Sequence, residues 1–365
     1  MADPAPSPLA DAYAAEHLPL VEYHGGLVPL RFSDSAAEHH AVRQRTGLFD
    51  FSFRAKLAVK GDDRSKFLHR IVSNDIRKLV PGQGTYATLL NAQGHILADF
   101  RVYCAEDRLL IDTDADLRDK LMQALRRYII ADRVQIEPLD SVAVAAQGPT
   151  SRSVLESFLQ TKPRLEQEYD HFSATHASLP VRIVRASGTG EEGYEVWVEP
   201  HGFEEVWKTL GREPPAEGAT PERLYCGVAA LETLRIEAGI PRYGPDMGED
   251  TIPNEAGLVN ALSFQKGCYI GQEIVERTRS RGHVNWKLMG VTVDSPSAPA
   301  PGELLLASGK EVGEITSACV SPTLSKTIAL AYVRREVSEP GTKVALASGV
   351  SAQVASLPFY SRSRL

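Results

Sequence analysis

The stretch SNDIRKLVPGQGTYATLLNAQGHILADFRVY, residues 73–103, combines a turn with two extended segments. The pair Pro81-Gly82 marks the turn, and the runs 85–91 and 95–104 have the composition of β-strands. A third run of this kind, RLLIDTD, follows at residues 108–114. Successive strands without a helix between them do not fit regular βαβ alternation, so this stretch favours an α+β fold.

Helices are predicted farther along the chain, among additional strand candidates. Periodic apolar residues predict one helix over 117–128, another over 202–210, and a longer one in RLYCGVAALETLRIEAG, residues 223–239. From Leu288 onward the chain offers only short strand candidates separated by Gly and Pro turns. This pattern predicts a small antiparallel β-barrel at the C-terminal end.

The length of 365 residues predicts two or three domains rather than one compact core. The proline-rich beginning, MADPAPSP, predicts a disordered lead-in that we assign to residues 1–19. The change to short strands sets a boundary near residues 282–287. We therefore divide the rest into an α+β region of two subdomains, 20–282, and a barrel domain, 283–365.

The composition is that of an ordinary globular protein, with 40 basic and 47 acidic residues and a formal net charge of −7. Neither nucleic acid nor a membrane is expected as a partner, because the chain has no extended basic region and no long apolar run. The four cysteines include no close pair, which argues against a zinc ribbon, a CxxC redox motif or a disulfide framework, and no resident metal is expected. A reducing cytoplasm is the expected compartment.

The segment QKGCYIGQEIVE, residues 265–276, places a cysteine in the turn before a predicted helix. The free N–H groups at a helix start and the charge of Lys266 would both favour the thiolate of Cys268. Cys268 is therefore a candidate nucleophile or soft metal ligand, with Lys266 as its activating neighbour. The alternative is that Cys268 packs as a small apolar residue between two turn glycines.

Three charged residues outside this segment are candidates for a binding site. Asp99 lies on a strand face with Arg101, so it is either a site residue or an exposed acid in an ion pair. Glu195 shares a face with Trp197, which fits either a solvated sheet or the wall of a heterocycle pocket. Arg235 lies on the apolar stripe of its helix, where an arginine either reaches for solvent or is paired inside a site.

Two further motifs favour ordinary structural interpretations. GTGEEG, residues 188–193, has the spacing of a dinucleotide fingerprint, but a strand and not a helix follows it, so a hairpin turn is predicted. ERTRSRGH, residues 276–283, contains three arginines that could bind RNA, although a solvated helix face is the simpler interpretation.

The chain resembles the glycine cleavage T-protein family in four long segments in the same order: residues 73–103, TGEEGYEVWV, ALETLRIEAGIPRYGPDM and VGEITSACVSPTLSKTIALAYV. The resemblance implies a cloverleaf folate-binding module, aminomethyltransferase-like, followed by the small antiparallel barrel. It also implies a tetrahydrofolate cavity. Asp99 would face the reactive end of the folate, Glu195 would hold the pterin edge, and Tyr86 and Arg235 would line the pocket.

Within this family, the complete motif KGCYIGQE, residues 266–273, resembles the YgfZ-type folate-binding proteins. Aminomethyltransferases usually have D-V-S-H-M where this chain has DFSFR, residues 50–54, and G-G-I-x-D-D where it has GHILAD, residues 94–99. The expected function is therefore to bind tetrahydrofolate and, through Cys268, to support the synthesis or repair of iron–sulfur clusters in client enzymes or with assembly proteins.

Two alternative functions remain open at this point. One is an aminomethyltransferase that moves a one-carbon unit onto tetrahydrofolate, with Asp99 aligning or protonating the amine. The other, weaker alternative is a folate-dependent tRNA modification factor that uses the arginines of residues 277–281. Whether the protein is an enzyme at all depends on which of these three functions holds.

Overall fold

The computed structural model describes residues 3–212, 223–280, 282 and 284–362. Within them the helices are α1 Ala10–Ala15, α2 Ser35–Gln44, α3 Arg64–Ile71, α4 Arg118–Arg126, α5 Ser151–Leu159, α6 Phe203–Gly211, α7 Val228–Glu237 and α8 Gln272–Ser280. The strands are β1 Ala5–Pro6, β2 Leu20–Tyr23, β3 Gly26–Pro29, β4 Thr46–Asp50, β5 Arg54–Lys60, β6 Gly84–Leu90, β7 Ile96–Cys104, β8 Leu109–Asp114, β9 Gln135–Leu139, β10 Val142–Gln147, β11 His171–His176, β12 Leu179–Arg185, β13 Gly193–Val198, β14 Arg223–Cys226, β15 Trp286–Val293, β16 Leu304–Ala307, β17 Lys310–Ser321, β18 Lys326–Arg334, β19 Lys343–Leu346 and β20 Ser351–Ala355.

The strands form three open sheets and a barrel. The sheet orders are β1-β3-β2, β11-β12-β13-β10-β4-β14 and β6-β7-β8-β5-β9. Most neighbouring strands are antiparallel, while β4 and β14, and also β1 and β3, are parallel. The architecture is α+β, as predicted, and the turn and strands that residues 73–103 predict correspond to β6 and β7. Among the described residues, no helix is long and apolar enough to cross a membrane.

The described chain divides into two compact units. The first comprises Met1–Ile71, Asp75–Ala87 and Phe100–Leu231. The second comprises Val72–Asn74, Thr88–Asp99 and Glu232–Leu365. This division differs from the predicted one, because the segment from residue 232 to residue 282 groups with the barrel strands. The predicted boundary itself falls beside residues 281 and 283, which lie outside the described residues.

The six-stranded sheet of the first unit is covered on one face by α5 and α6. Leu155 and Phe158 of α5 and Phe203 and Val206 of α6 pack against sheet residues such as Val196 in one buried cluster. Apolar residues three or four positions apart give each helix the face that it buries. This packing makes β13 a central strand with both of its faces covered.

The C-terminal strands of the second unit close into a barrel with the order β15-β18-β17-β16-β19-β20. The predicted antiparallel barrel is therefore confirmed. Alternating residues such as Val291, Leu305, Ile315 and Ala331 are fully buried in the barrel interior. Short strands separated by Gly and Pro turns are what make this domain predictable from its own sequence.

The segment RLYC, predicted as the first turn of a helix, is instead the strand β14, so this prediction is wrong. Leu224 and Cys226 pair in register with Gly47 and Phe49 of β4. The chain turns into α7 at Gly227, where a Cβ atom would lie 2.3 Å from the carbonyl oxygen of Leu30. Pairing with a distant strand thus overrides the helical periodicity of these four residues.

The predicted disordered lead-in is corrected for residues 3–19, where the structure has a strand and a helix. The reason is a buried polar contact with Asp50, whose carboxylate accepts hydrogen bonds from Ser7 Oγ at 2.5 Å and Tyr13 Oη at 2.9 Å. Burial raises the pKa of Asp50, opposing the hydrogen bonds that stabilise its charged form. These partners are distant in sequence, so composition gave no sign of them.

Candidate functional site

Glu195 lies at the centre of the six-stranded sheet, on β13 between β12 and β10. Its side chain is 0% exposed. Arg101 Nη1 donates to Glu195 Oε1 at 2.5 Å, and Trp197 Nε1 donates to Glu195 Oε2 at 2.9 Å. The alternative of a solvated sheet face is therefore wrong, and a buried carboxylate beside an aromatic wall is what the structure contains.

Asp112 joins this carboxylate to a larger buried ion network. Arg54 donates to both of its oxygens, at 3.3 and 2.6 Å, and Lys56 Nζ lies 2.9 Å from Oδ1. Arg101 Nη1 also reaches Asp112, at 3.3 Å, so it bridges Asp112 and Glu195. Burial opposes ionisation of Asp112, but the three neighbouring cations outweigh it and lower its pKa. Asp112 is thus the carboxylate around which Arg54, Lys56 and Arg101 gather in the interior of the first unit.

Two tyrosines of the first unit lie close to this network. Tyr103 packs edge-on against Trp197, with ring centroids 5.2 Å apart, and its buried hydroxyl has no hydrogen-bond partner among the described residues. Tyr169 has a φ of 71°, in the left-handed region that bulky residues rarely adopt. Burial raises the pKa of Tyr169 to about 12, so its phenol stays neutral near pH 7. Strained backbone of this kind is concentrated at binding sites.

Tyr86 lies on β6 and Asp99 on β7. Both side chains are half-buried. On β7 the residues on either side of Asp99, Ala98 and Phe100, are buried, so the strand alternates as predicted. Arg101, two residues farther along β7, forms ion pairs with Glu195 and Asp112.

Arg235 of α7 is buried and paired within the second unit. It donates to Glu232 through Nε and Nη2, to Asp246 and the Ile240 carbonyl through Nη1, and to Ser317 through Nη2. A guanidinium has five N–H donors, and these five bonds occupy all of them. In this structure Arg235 therefore ties α7 to the barrel strand β17 and keeps no donor for the folate pocket that the resemblance implies.

We expect Arg235→Met to lower the free energy of unfolding by about 3–5 kcal/mol, because it leaves the carboxylate of Asp246 buried without its cation. Urea denaturation followed by circular dichroism measures this loss. Arg118→Met is the control, since Arg118 forms an exposed pair with Asp119 and should change stability by less than about 1 kcal/mol. A stable Arg235→Met protein that no longer binds folate would assign Arg235 to the ligand instead.

Lys266 and Cys268 lie in the turn before α8, as predicted, but in different environments. The side chain of Lys266 is buried, and Nζ donates to the carbonyl oxygens of Val72 at 2.5 Å and Asn74 at 3.0 Å. Cys268 is exposed. The ammonium group of Lys266 therefore has a structural task in anchoring residues 72–74, which the sequence interpretation did not include.

The two glycines that flank Cys268 differ in their roles. Gly271 has a φ of 78°, and a Cβ atom there would lie 2.6 Å from the carbonyl oxygen of Asn91. Gly267 has open space around it. Gly271 is thus required for the close approach of this turn to residues 91–94, whereas Cys268 does not pack between the glycines and the packing alternative is not supported.

The catalytic role of Cys268 stays a prediction that a single variant tests. Because the thiol is exposed, we expect Cys268→Ser to keep the thermal unfolding temperature and the folate affinity of the wild-type protein. A thiol that takes part in chemistry would appear as lost one-carbon transfer in this folded variant. Cys226→Ser, which changes a buried cysteine, is the comparison for a purely structural loss.

The GTGEEG motif forms the turn between the antiparallel strands β12 and β13, as predicted. Glu191 is buried and paired with Arg43, whose Nη1 lies 3.1 Å from Oε1. The side chain of Gln147 accepts a hydrogen bond from the Gly188 N–H at 3.0 Å. The loop is therefore held by protein groups on both sides, which fits a hairpin and not a phosphate-binding loop.

The arginine-rich run on α8 also has local partners. Arg279 lies 3.5 Å from Glu276, and its guanidinium lies over the ring of Phe264 at 4.2 Å. Arg277 lies on the same helix, while Arg281 and His283 lie outside the described residues. These contacts are those of an ordinary helix surface.

His24, Asp114 and Asp116 are close enough together to hold a cation, with ligand atoms within 4.8 Å of one another. However, His24 Nδ1 lies 2.9 Å from Asp114 Oδ2, and Arg54 Nη1 donates to Asp114 Oδ1 at 2.5 Å. A guanidinium at this distance repels a metal ion, so the arrangement is better described as an ion-pair cluster.

The fold is that of a protein class defined by two domain models, which together match most of the chain. The GCVT N-terminal domain matches residues 9–266, and the glycine cleavage T-protein C-terminal barrel domain matches residues 287–361. The chain belongs to the glycine cleavage T-protein family. The predicted fold, an aminomethyltransferase-like module followed by a β-barrel, is confirmed.

Several proteins that are similar over nearly the whole chain are named aminomethyltransferases. An aminomethyltransferase from Rippkaea orientalis is 34% identical, with 97% of each chain covered. One from Rubrobacter xylanophilus is 33% identical over 98% of this chain and 95% of its own. The crystal structure of glycine cleavage system aminomethyltransferase T from Bartonella henselae superimposes with a TM-score of 0.88 at 25% identity, covering 98% of both chains.

These similarities correct the main functional prediction from the sequence. An iron–sulfur cluster factor with client enzymes as partners is contradicted, because the relatives that match over nearly the full length are named aminomethyltransferases. The YgfZ-type assignment is not confirmed. The lysine and the second glycine of residues 266–273 have structural tasks in this fold, so this motif does not by itself indicate the YgfZ-type function.

Proposed function

We propose that this chain is an aminomethyltransferase that moves a one-carbon unit from an aminomethyl donor onto tetrahydrofolate. The observation that carries the proposal is its similarity to aminomethyltransferases over nearly the whole chain. The buried carboxylate of Glu195, beside an aromatic wall, supports it from the structure. In this reaction tetrahydrofolate is the substrate that accepts the carbon.

Glu195 is the group that fits the pterin ring of a folate. An ionised carboxylate has about four acceptor positions, and the hydrogen bonds from Arg101 and Trp197 use one on each oxygen of Glu195. The aminopyrimidine edge of a pterin offers adjacent N–H donors in one plane. Two such donors match two neighbouring carboxylate oxygens, so Glu195 would select the pterin by hydrogen bonding.

Asp99 is proposed to act on the reacting amine, and Tyr86 to line the same ligand. A carboxylate can align an amine by accepting its N–H, and in its protonated form it can supply the proton that the leaving amine needs. In aminomethyl transfer the carbon is retained by the folate and the nitrogen departs, so a proton must be delivered to it. Asp99 carries this role in the proposal.

The proposal is tested on the wild-type protein with two measurements. Isothermal calorimetry with tetrahydrofolate should show saturable binding at one site. A transfer assay with tetrahydrofolate and an aminomethyl-loaded carrier protein should release ammonia in proportion to the folate that is converted. Absence of both binding and transfer would overturn the proposal, and binding without transfer would leave a folate-binding protein that is not an enzyme.

A further inference from the structure

The Glu195 carboxylate has no surface through which a ligand could reach it. Its side chain is 0% exposed, and each oxygen is covered by a donor, Arg101 on Oε1 and Trp197 on Oε2. A ligand edge can contact this carboxylate only if one of the groups that cover it moves. The two donors, Arg101 and Trp197, differ in how firmly other contacts hold them in place.

Trp197 is held from several sides. Its side chain is buried, Tyr103 packs edge-on against its ring at 5.2 Å, and the ammonium group of Lys56 lies 4.8 Å from its ring centroid. Lys56 is itself fixed by Asp112 at 2.9 Å. Moving Trp197 would break all of these contacts together, so its indole N–H is a fixed partner of Glu195.

Arg101 is held differently. Its side chain keeps 14% of its surface exposed, which makes it the more accessible of the two groups on Glu195. Its Nη1 atom lies 2.5 Å from Glu195 Oε1 and 3.3 Å from Asp112 Oδ2. Arg101 can therefore leave Glu195 and remain paired with Asp112, so its displacement leaves no buried cation without a partner.

We propose that Arg101 gates the pterin site: its guanidinium occupies Glu195 in the free protein and shifts to Asp112 when a pterin edge binds. In the free protein the guanidinium occupies the hydrogen-bonding position of the ligand, because both groups present N–H donors in one plane to a carboxylate. Trp197 acts as a positioning residue that holds Oε2 in both states. This inference rests on the proposed function.

Removing a residue from a binding site usually weakens ligand binding, but the gate predicts the opposite effect for Arg101. In the free protein Arg101 keeps Glu195 paired, and the ligand must compete with it. The apparent dissociation constant is then the intrinsic one divided by the fraction of molecules in which Arg101 has left Glu195. Weakening the hold of Arg101 on Glu195 should therefore strengthen ligand binding.

The test is Arg101→Gln, with a tetrahydropterin that lacks the p-aminobenzoylglutamate tail as the probe. This probe lacks the carboxylates of the glutamate tail. The loss of the Arg101 charge therefore cannot change binding through an interaction with them. We expect binding to become roughly tenfold tighter, with faster association in stopped-flow fluorescence, because the neutral amide competes less well for Glu195. Unchanged or weaker binding by the folded variant would overturn the gate.

Arg54→Gln is the matched control, since it also removes one cation from Asp112 but does not contact Glu195. If both variants tighten binding equally, the effect is one of charge and the gate is wrong. Arg101→Lys, which keeps the buried charge but loses the planar fork, should shift binding in the same direction by a smaller factor. It serves as the second variant if Arg101→Gln does not fold.

The same experiment separates this inference from the proposed function. If neither the wild-type protein nor Arg101→Gln binds tetrahydrofolate or the tetrahydropterin, the proposed function fails and the gate with it. If the wild-type protein binds and Arg101→Gln binds no more tightly, only the gate fails.

Discussion

Replacing Glu195 with glutamine is expected to weaken tetrahydrofolate binding about 100-fold, or roughly 2.7 kcal/mol. The amide keeps the shape of the side chain but offers one acceptor oxygen where the carboxylate offers two, and it cannot form charge-assisted bonds with the pterin N–H groups. Calorimetry on the folded variant measures the change.

Glu191→Gln is the control for this result. Glu191 is a buried glutamate in the adjoining hairpin turn, where it is paired with Arg43. It carries the same chemical change and should keep wild-type folate affinity. Equal affinities of the Glu195→Gln and wild-type proteins would remove Glu195 from the ligand site, whatever the transfer activity.

Asp99→Asn is expected to lower kcat for one-carbon transfer by about 10²–10⁴-fold while folate affinity changes little. Asparagine keeps the size of the side chain and can still accept a hydrogen bond, but it cannot carry the proton to the departing amine. The split between kcat and binding distinguishes a catalytic role from a positioning role for Asp99.

The Asp99 measurement needs steady-state kinetics with the loaded carrier protein and calorimetry on the same preparation. Asp107→Asn is the comparison, because Asp107 forms an exposed pair with Arg108. A folded Asp99→Asn protein with the wild-type rate would show that Asp99 does not act on the amine. If kcat and folate affinity fall together, Asp99 holds the folate and its proton-transfer role is lost.

The barrel could be predicted because its signal is local. Its strands are short, and Gly and Pro residues mark the turns between them. The helix α8 and the hairpin around GTGEEG could also be predicted, because their sequence signals are local. Where a distant strand competes, local pattern fails: residues 223–226 have helical periodicity but pair with β4.

The candidate site was only partly predictable. Glu195 and Trp197 are two residues apart on one strand, so the sequence could place them on the same face. Asp112 and Arg101 could not be connected with them, because Arg101 and Glu195 are 94 positions apart. Tyr169 had no sequence signal at all, since nothing in its neighbours predicts a positive φ.

The sequence by itself determined the family, the α+β class, the barrel and the identity of Glu195 as a candidate, because these depend on order and spacing along the chain. The tertiary structure decided what each charged side chain does. It assigned all five donors of Arg235 to protein groups, placed Lys266 on backbone carbonyls, and set Arg101 between two buried carboxylates. The physical reason is that a buried charge must be paired or hydrogen-bonded to offset the free-energy cost of its desolvation. Its partners determine what it does, and only folding brings those partners together.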